Sequence, residues 1–307
     1  MKRWLTLTAL AAMALASLAA VEVKAEDGAA LRQRVMRILR QTPLIDGHND
    51  MPWQYRRRVG NRLDALDFAG DLSSAEPSMH TDIPRLRAGG VGGQFWAAYL
   101  PIGAAGGQPG DARIVLEQID LIRRLVDRHA DHLELALTAD DVERVHAEGR
   151  IASLVGVEGG HAIENSLAVL RATYELGARY MTLTHNRSLD WADAATDASR
   201  ADGLTPFGKE VVREMNRLGM MVDLSHVAPA TMHAALDVIR APVVFTHSYP
   251  NLLVELLRRG YTDEELAKIA GQNMLRVMRE AERVAEQLQK TERPSEATIE
   301  ELDAEVQ

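Results

Sequence analysis

Cysteine does not occur in the 307 residues. Its absence removes disulfide staples, thiolate zinc sites, cysteine nucleophiles and a lipid-attachment cysteine together, and leaves His, Asp and Glu as the strong metal ligands. An excess of positive charge is also lacking: 35 Lys+Arg stand against 44 Asp+Glu, a formal charge of −9. The basic footprint of a protein that grips phosphate backbones is therefore missing, and nucleic acid is not expected as a partner. No apolar run reaches the roughly 20 residues that a spanning helix needs, and the charged C-terminus has no hydrophobic tail of the lipid-anchor type.

What is present at the start is a shorter run. Lys2 and Arg3 precede an almost wholly apolar stretch from Trp4 to Ala20, and small residues follow at Ala19, Ala20 and Ala25. This is the layout of a secretory signal peptide cleaved after Ala20 or Ala25. Residues 1–25 are read as that leader, with an uncleaved anchor as the alternative. The mature chain is then exported, periplasmic or secreted, with no stable membrane anchor after cleavage. A hydrophobic content of 46% is that of a folded globular chain rather than a disordered one.

Past the leader, short apolar runs alternate with amphipathic stretches. Six runs stand out: PLIDGHND (43–50), VGGQFWAAYL (91–100), IASLVGVEGG (151–160), YMTLTHN (180–186), GMMVDLSH (219–226) and APVVFTHS (241–248). Between them the 3.6-residue pattern predicts helices over Asp111 to Ala130, Leu167 to Leu176 and Pro206 to Leu218. Strands alternating with helices of 10–15 residues indicate βαβ units and a parallel sheet, an α/β fold. No repeat or low-complexity linker divides residues 26–282, which are read as one domain. From about Arg283 charge is dense, and 283–307 reads as an exposed helix followed by a frayed tail.

The chemistry gathers where the runs end. In parallel α/β architectures functional residues cluster at the C-terminal ends of the strands. Five of the six runs finish on such residues: His48 with Asp50, Glu158, His185, His226 and His247. His-x-Asp puts two ligand-type side chains on one side of an extended segment, because side chains alternate with period 2. Alone such a pair is more often a turn or helix cap. One carboxylate and two further histidines at separate strand ends make a carboxylate-plus-imidazole shell, which suits zinc or another first-row divalent ion. Two ions bridged by one carboxylate would use five groups and no protein nucleophile.

The strings IDGHND, GVEGGH, RYMTLTHN with WAD following, MVDLSH, VVFTHS and LLRRGYTDEELAKIAGQNMLRV resemble, in order, the signature segments of the membrane (renal) dipeptidase family of zinc metallopeptidases. The resemblance runs from about Leu31 to Glu280. It implies a TIM-like (β/α) barrel that cleaves dipeptides through a metal-bound hydroxide at a binuclear centre, with two Zn2+ per chain. Carried over by position, His48 and Asp50 hold one zinc, His226 and His247 the other, and Glu158 bridges them. His185 matches the histidine that faces the substrate and helps to stabilise the tetrahedral intermediate. Asp46 and Asp223, each just before a ligand, are either orienting partners of an imidazole or strand-end caps. His129, His132, His146 and His233 read as solvated helix faces, His161 as a cap at a helix start, and His80 as a loop residue. The pairs Gly89-Gly90 and Gly92-Gly93 lack a nucleotide-binding spacing and read as close packing.

One departure stands out. In the family the strand ending FTHS is followed by a long segment with a substrate-binding arginine and a late strand ending in an aspartate. Here FTHS (245–248) runs directly into the closing helical region. An eight-unit barrel takes about 250 residues, so the barrel is expected to be incomplete, with about six of eight strands. Such a remnant is expected to expose strand edges and apolar interior, and to favour a homo-oligomer. Asp263 and Asp303, in an amphipathic helix and the tail, are not expected to replace the late aspartate. An inactive metal-binding deletion relative, or another barrel-type metal-dependent hydrolase, are the alternatives to a working dipeptidase.

Overall fold

The computed structural model describes residues 28–76, 78–103, 111–247 and 253–304; the leader expected over 1–25 lies outside them. Among the described residues no helix is long and apolar enough to cross a membrane. Among the described residues six parallel strands form one sheet: β1 (Leu44–Asp46), β2 (Val91–Tyr99), β3 (Leu133–Leu135), β4 (Ile151–Glu158), β5 (Ala178–Thr182) and β6 (Met221–Asp223). The order is β1-β2-β4-β5-β6. Strand β3 pairs Leu133 to Leu135 with Ile151 to Ser153, while β5 pairs with β4 from Val155 onward. As β2 occupies the other side of β4 over Ala152 to Glu158, β3 and β5 share one edge end to end.

The strand count agrees with expectation, but its membership differs. The short β3 covers three residues, too short a run for its Leu133-Glu134-Leu135 alternation to mark it beside the helix that ends at Arg128. The expected strand over 241–248 makes a single parallel bridge, Val244 to Asp223, with Val244 N–H donating to Val222 O and Leu224 N–H to Val244 O. Pro242 has no N–H to give to a ladder.

The connecting helices carry their own signals. Helix α1 (Gly28–Gln41) precedes the sheet, and α2 (Met51–Val59) and α3 (Ile83–Ala88) lie between β1 and β2. Helices α4 (Asp111–Arg128), α5 (Ala139–Ala147), α6 (Leu167–Glu175) and α7 (Pro206–Leu218) follow β2, β3, β4 and β5. Thr138 and Asp141 form a capping box on α5. Thr205 caps α7, Pro206 opens it, and Gly219 ends it at φ 85. Past β6 come α8 (Pro229–Leu236), α9 (Leu253–Arg258), α10 (Asp263–Ala267), a π-helical turn at Lys268–Gln272, α11 (Asn273–Thr291) and α12 (Ile299–Leu302).

The sheet is buried on both faces. Trp96, Val155, Val157, Met181 and Val222 form its outer face, packed against α2, α4, α6 and α7. Ile45, Phe95, Leu154, Tyr180 and Met221 form the inner face. The inner face is where a shortened barrel is expected to gape, and it does not. Leu275, Met278, Ala281 and Val284 of α11, with Ala139, Val142 and Val145 of α5, lie against it. The π turn lets Gly271 approach strand β1 so closely that a Cβ there would overlap the carbonyl of Pro43. At the C-terminal rim Gly47 abuts Thr246, and a Cβ on Gly47 would stand 2.8 Å from the Thr246 carbonyl oxygen. The expectation of an exposed apolar interior is thus corrected. Half-exposed Leu236 and Phe245 mark what stays open beyond β6.

The expected frayed tail is corrected as well. Helix α11 runs through Arg283 with Val284 and Ala285 buried, because its apolar positions keep helical spacing among the charges. Asp303 is buried and accepts the N–H of Phe207, at the start of α7, at 2.9 Å. Replacing Leu275 by Ala should remove one of the groups that cover the inner face. The expected loss is about 2–5 kcal/mol, read as a lower urea midpoint with an unchanged slope.

Candidate metal centre

Glu158 closes β4 on the inner face, in the same register row as Tyr99 of β2 and Thr182 of β5. Its carboxylate is the hub of the cluster. His247 Nε2 lies 3.2 Å, His226 Nε2 3.3 Å and His185 Nε2 3.5 Å from Oε1, while His48 Nε2 lies 3.4 Å from Oε2. Asp50 joins through His48, whose Nε2 is 3.4 Å from Asp50 Oδ1. The side chain of Asp50 is half exposed, whereas that of Glu158 is 4% exposed. All six residues singled out in the sequence therefore meet at the strand ends. Two overlapping sets have metal-ligand spacing: His48, Glu158 and His247, and Glu158, His185 and His226. That grouping pairs His247 with His48 and His226 with His185, unlike the pairing implied by the resemblance.

Two of the imidazoles have their tautomer set from behind. Tyr180 Oη donates to the carbonyl of Gly47 at 3.0 Å and stands 3.0 Å from His48 Nδ1. With its proton committed to Gly47, the hydroxyl accepts from His48 Nδ1–H. Thr246 Oγ1 likewise donates to Asp223 Oδ2 at 2.7 Å and stands 3.0 Å from His247 Nδ1. In both residues Nδ1–H is thereby fixed and Nε2 is the nitrogen left to take a proton or a cation, and it is the one that faces Glu158. His48 Nε2 is buried and has no hydrogen-bond partner. A buried imidazole nitrogen beside a carboxylate, with a second and third imidazole nitrogen at 3.2–3.3 Å from that carboxylate, fits a divalent cation of the zinc type that takes the place of the His48 proton.

These supports also settle the roles of Asp46 and Asp223. Asp46 Oδ1 accepts the backbone N–H of His48 at 3.3 Å, a strand-end cap. Asp223, fully buried, accepts from Thr182 Oγ1, Thr246 Oγ1, Ser225 N and Oγ, and Thr246 N, and reaches His247 through Thr246. His226 has φ 66, a backbone region that costs a β-carbon-bearing residue about 1–2 kcal/mol. Ala195 N–H donates to its carbonyl at 2.8 Å and holds it there.

Burial raises the Glu158 pKa, but the imidazoles of His226, His247 and His48 outweigh it and hold the carboxyl well below the usual range. Burial would lower His48, yet Asp50 and Glu158 outweigh that and raise it to about 10. In the metal-free protein His48 is therefore protonated at pH 7. Its contribution to stability is complete below about pH 6.5 and is lost as pH rises through about 10. The contribution of Glu158 is present above about pH 4.5 and is lost on acidification. Urea midpoints of metal-free protein should accordingly fall between pH 6.5 and 10. Saturating zinc, which displaces the His48 proton, should remove that alkaline fall.

Four groups at the site carry no ionic signal in the sequence: Tyr180, Thr246, Tyr99 and Trp53. Tyr99 stacks edge-on to His185 at 5.0 Å and to Trp53 at 5.4 Å, forming an aromatic wall. Tyr180 crosses the inner face because Gly156 has no Cβ; one there would overlap its ring. Replacing Tyr180 by Phe should leave the fold intact and weaken zinc binding about 10- to 100-fold, measured by competition with a chromophoric chelator. The other histidines stay out of the cluster. His80 and His233 are exposed, while His129, His132 and His146 are half-buried rather than solvated. His161 is buried and does not cap a helix; its Nε2 lies 3.1 Å from the carbonyl oxygen of Leu100. Asp263 pairs with Arg34 at 2.5 Å.

The membrane dipeptidase family model (peptidase family M19) matches residues 32–251 and again 248–292, the two stretches meeting where the sequence runs from FTHS into the closing helices. Mouse Dipeptidase 3 is 45% identical over 224 residues, which are 71% of this chain and 43% of that protein. A metallopeptidase from Rhodobacter sphaeroides, liganded with a phosphinate mimic of the dipeptide L-Ala-D-Ala, is 26% identical with a TM-score of 0.56; the match covers 68% of this chain and 65% of that one. An amidohydrolase from Pseudomonas aeruginosa shares the fold at 16% identity, with a TM-score of 0.62 over 80% of this chain and 98% of the other. The chain thus spans less than half the length of the mouse relative.

Proposed function

The chain belongs to the membrane dipeptidase family, and from that premise and the site geometry we propose that it hydrolyses dipeptides with two zinc ions held at the strand ends. The observation that carries the proposal is the Glu158 carboxylate, ringed by four imidazole Nε2 atoms at 3.2–3.5 Å, two of them with their Nδ1–H held from behind. His48 and Asp50 would hold one ion and His226 and His247, whose Nε2 atoms stand 3.3 Å apart, the other, with Glu158 within reach of both. When bound, such an ion pair supplies Lewis acidity to a water and to the scissile carbonyl. That the Rhodobacter sphaeroides relative holds a phosphinate dipeptide mimic supports a dipeptide as the substrate class.

The residues around the ions orient and stabilise. Burial lowers the pKa of His185, so its imidazole is neutral at pH 7 and offers one N–H to the carbonyl oxygen as that atom gains charge. Tyr99 backs the His185 ring and Trp53 extends the wall on which a substrate side chain can lie. Export by the leader places the enzyme in the periplasm or outside the cell. Release of amino acids from a simple dipeptide with added zinc, abolished by a chelator and restored by zinc, is the expected result. Hydrolysis that persists in the chelated protein would overturn the proposal.

A further inference from the structure

We propose that His161 is a positioning residue, which sets the placement of the Glu158 carboxylate by bracing the turn after β4 against the end of β2. The proposal rests on the reading of Glu158 as the shared metal ligand. Strand β4 ends at Glu158, level with Tyr99, the last residue of β2. Beyond that row the backbone ladder between the two strands stops. The next tie is a side chain: His161 Nε2 lies 3.1 Å from the carbonyl of Leu100, the residue after Tyr99. A carbonyl only accepts, so the imidazole carries its proton on Nε2.

The ring is pinned on a second side. Gly159 has φ 99, a conformation that L side chains rarely adopt, and a Cβ on it would overlap the Cε1 edge of the His161 ring. The same Cβ would stand 3.4 Å from the Cβ of His185. The imidazole therefore occupies the space that the glycine leaves empty, directly behind the residue that follows Glu158. Gly160 is held likewise, since a Cβ on it would stand 2.5 Å from the Trp191 ring and 2.6 Å from the carbonyl of Leu183. The residue is 9% exposed and its Nδ1 is buried without a partner. An imidazole retained at the expense of one unpaired nitrogen points to a use for the other nitrogen and for the ring's shape.

The role predicts a specific rank order. His161→Phe fills the space without the donor, whereas His161→Gln keeps an N–H that reaches Leu100. His161→Phe is expected to fold, to bind zinc about 10- to 100-fold more weakly than the parent, and to lose kcat more than KM. His161→Gln is expected to recover most of both. Cobalt-substituted protein adds a readout of ligand placement, and its visible absorption should shift in His161→Phe and return in His161→Gln.

The test compares the full chain in all three forms by chelator competition, with thermal melts of the metal-free proteins as the control for folding. Parent-like zinc affinity and cobalt spectrum in His161→Phe would overturn the inference. A cobalt spectrum and affinity equally altered in Phe and Gln variants that melt like the parent would overturn it too, since shape and donor would then not matter separately. If the His161→Phe variant fails to fold, Gly159→Ala takes its place. Pressing a Cβ into the ring should weaken zinc binding in the parent, and by less in the His161→Ala background, where the ring is gone; equal losses in both backgrounds overturn the proposal. A parent chain that binds no zinc at all would instead refute the metal-centre reading on which the inference stands.

Discussion

Glu158→Gln is expected to reduce bound zinc from about two equivalents per chain to one or none, because a buried amide cannot supply the negative charge that two cations share. The side chain is nearly isosteric, so the change tests charge rather than shape. Three imidazole nitrogens stand within 3.5 Å of Glu158 Oε1 and the fourth stands 3.4 Å from Oε2. Loss of the carboxylate charge leaves these imidazoles without the group that gathers them. It also removes one of the two carboxylates that raise His48 to about 10. Metal analysis after gel filtration checks the number, and retention of two equivalents would refute the bridging role. Near-parental far-UV circular dichroism is expected, since the β4 ladder is made by backbone atoms.

The second large effect concerns turnover. The family places a substrate arginine and a late-strand aspartate after FTHS, and this chain continues there into its closing helices. Asp263 is committed to Arg34, and Asp303 accepts from the backbone at the start of α7. Neither is placed to serve the metal centre. General-base assistance is typically worth about 100- to 10,000-fold, and a charge-assisted contact to a substrate carboxylate contributes roughly 1.5–3 kcal/mol. Zinc-loaded protein is therefore expected to hydrolyse dipeptides at least about 100-fold more slowly than a full-length relative. Steady-state rates side by side decide it. Turnover equal to that of a full-length relative would show that another residue does the work of the aspartate.

The ends of strands were more legible than the strands themselves. His48, Glu158, His185, His226 and His247 could be singled out because each closes a β-rich run on an ionisable residue, and the structure gathers them around one carboxylate. The helices at 111–128, 167–175 and 206–218 follow their apolar spacing closely, and Ser166 and Thr205 cap the latter two. What escaped depends on contacts far apart in sequence. Tyr180 reads as one more apolar strand residue, and its hydroxyl has a purpose only because β5 faces the loop after β1. Thr246 is hidden beside its histidine in the same way. The fate of 241–248 turned on pairing partners that a run of apolar residues cannot specify, and Val244 finds one only in β6. The closure of the inner face was missed for a related reason. The charges interleaved at Arg276, Arg279, Glu280, Glu282 and Arg283 mask an apolar stripe through Leu275, Met278, Ala281 and Val284, and that stripe takes the place of missing barrel strands as the cover of the sheet.

Glu158 is proposed to lie between two cation sites built from the ends of four chain segments. An anomalous-difference map of zinc-soaked crystals, with data on either side of the zinc absorption edge, tests it most directly. Two peaks are predicted, flanking the Glu158 carboxylate, one beside His48 and Asp50 and the other beside His226 and His247. A single peak remote from Glu158, or zinc bound only at surface carboxylates, would contradict the account.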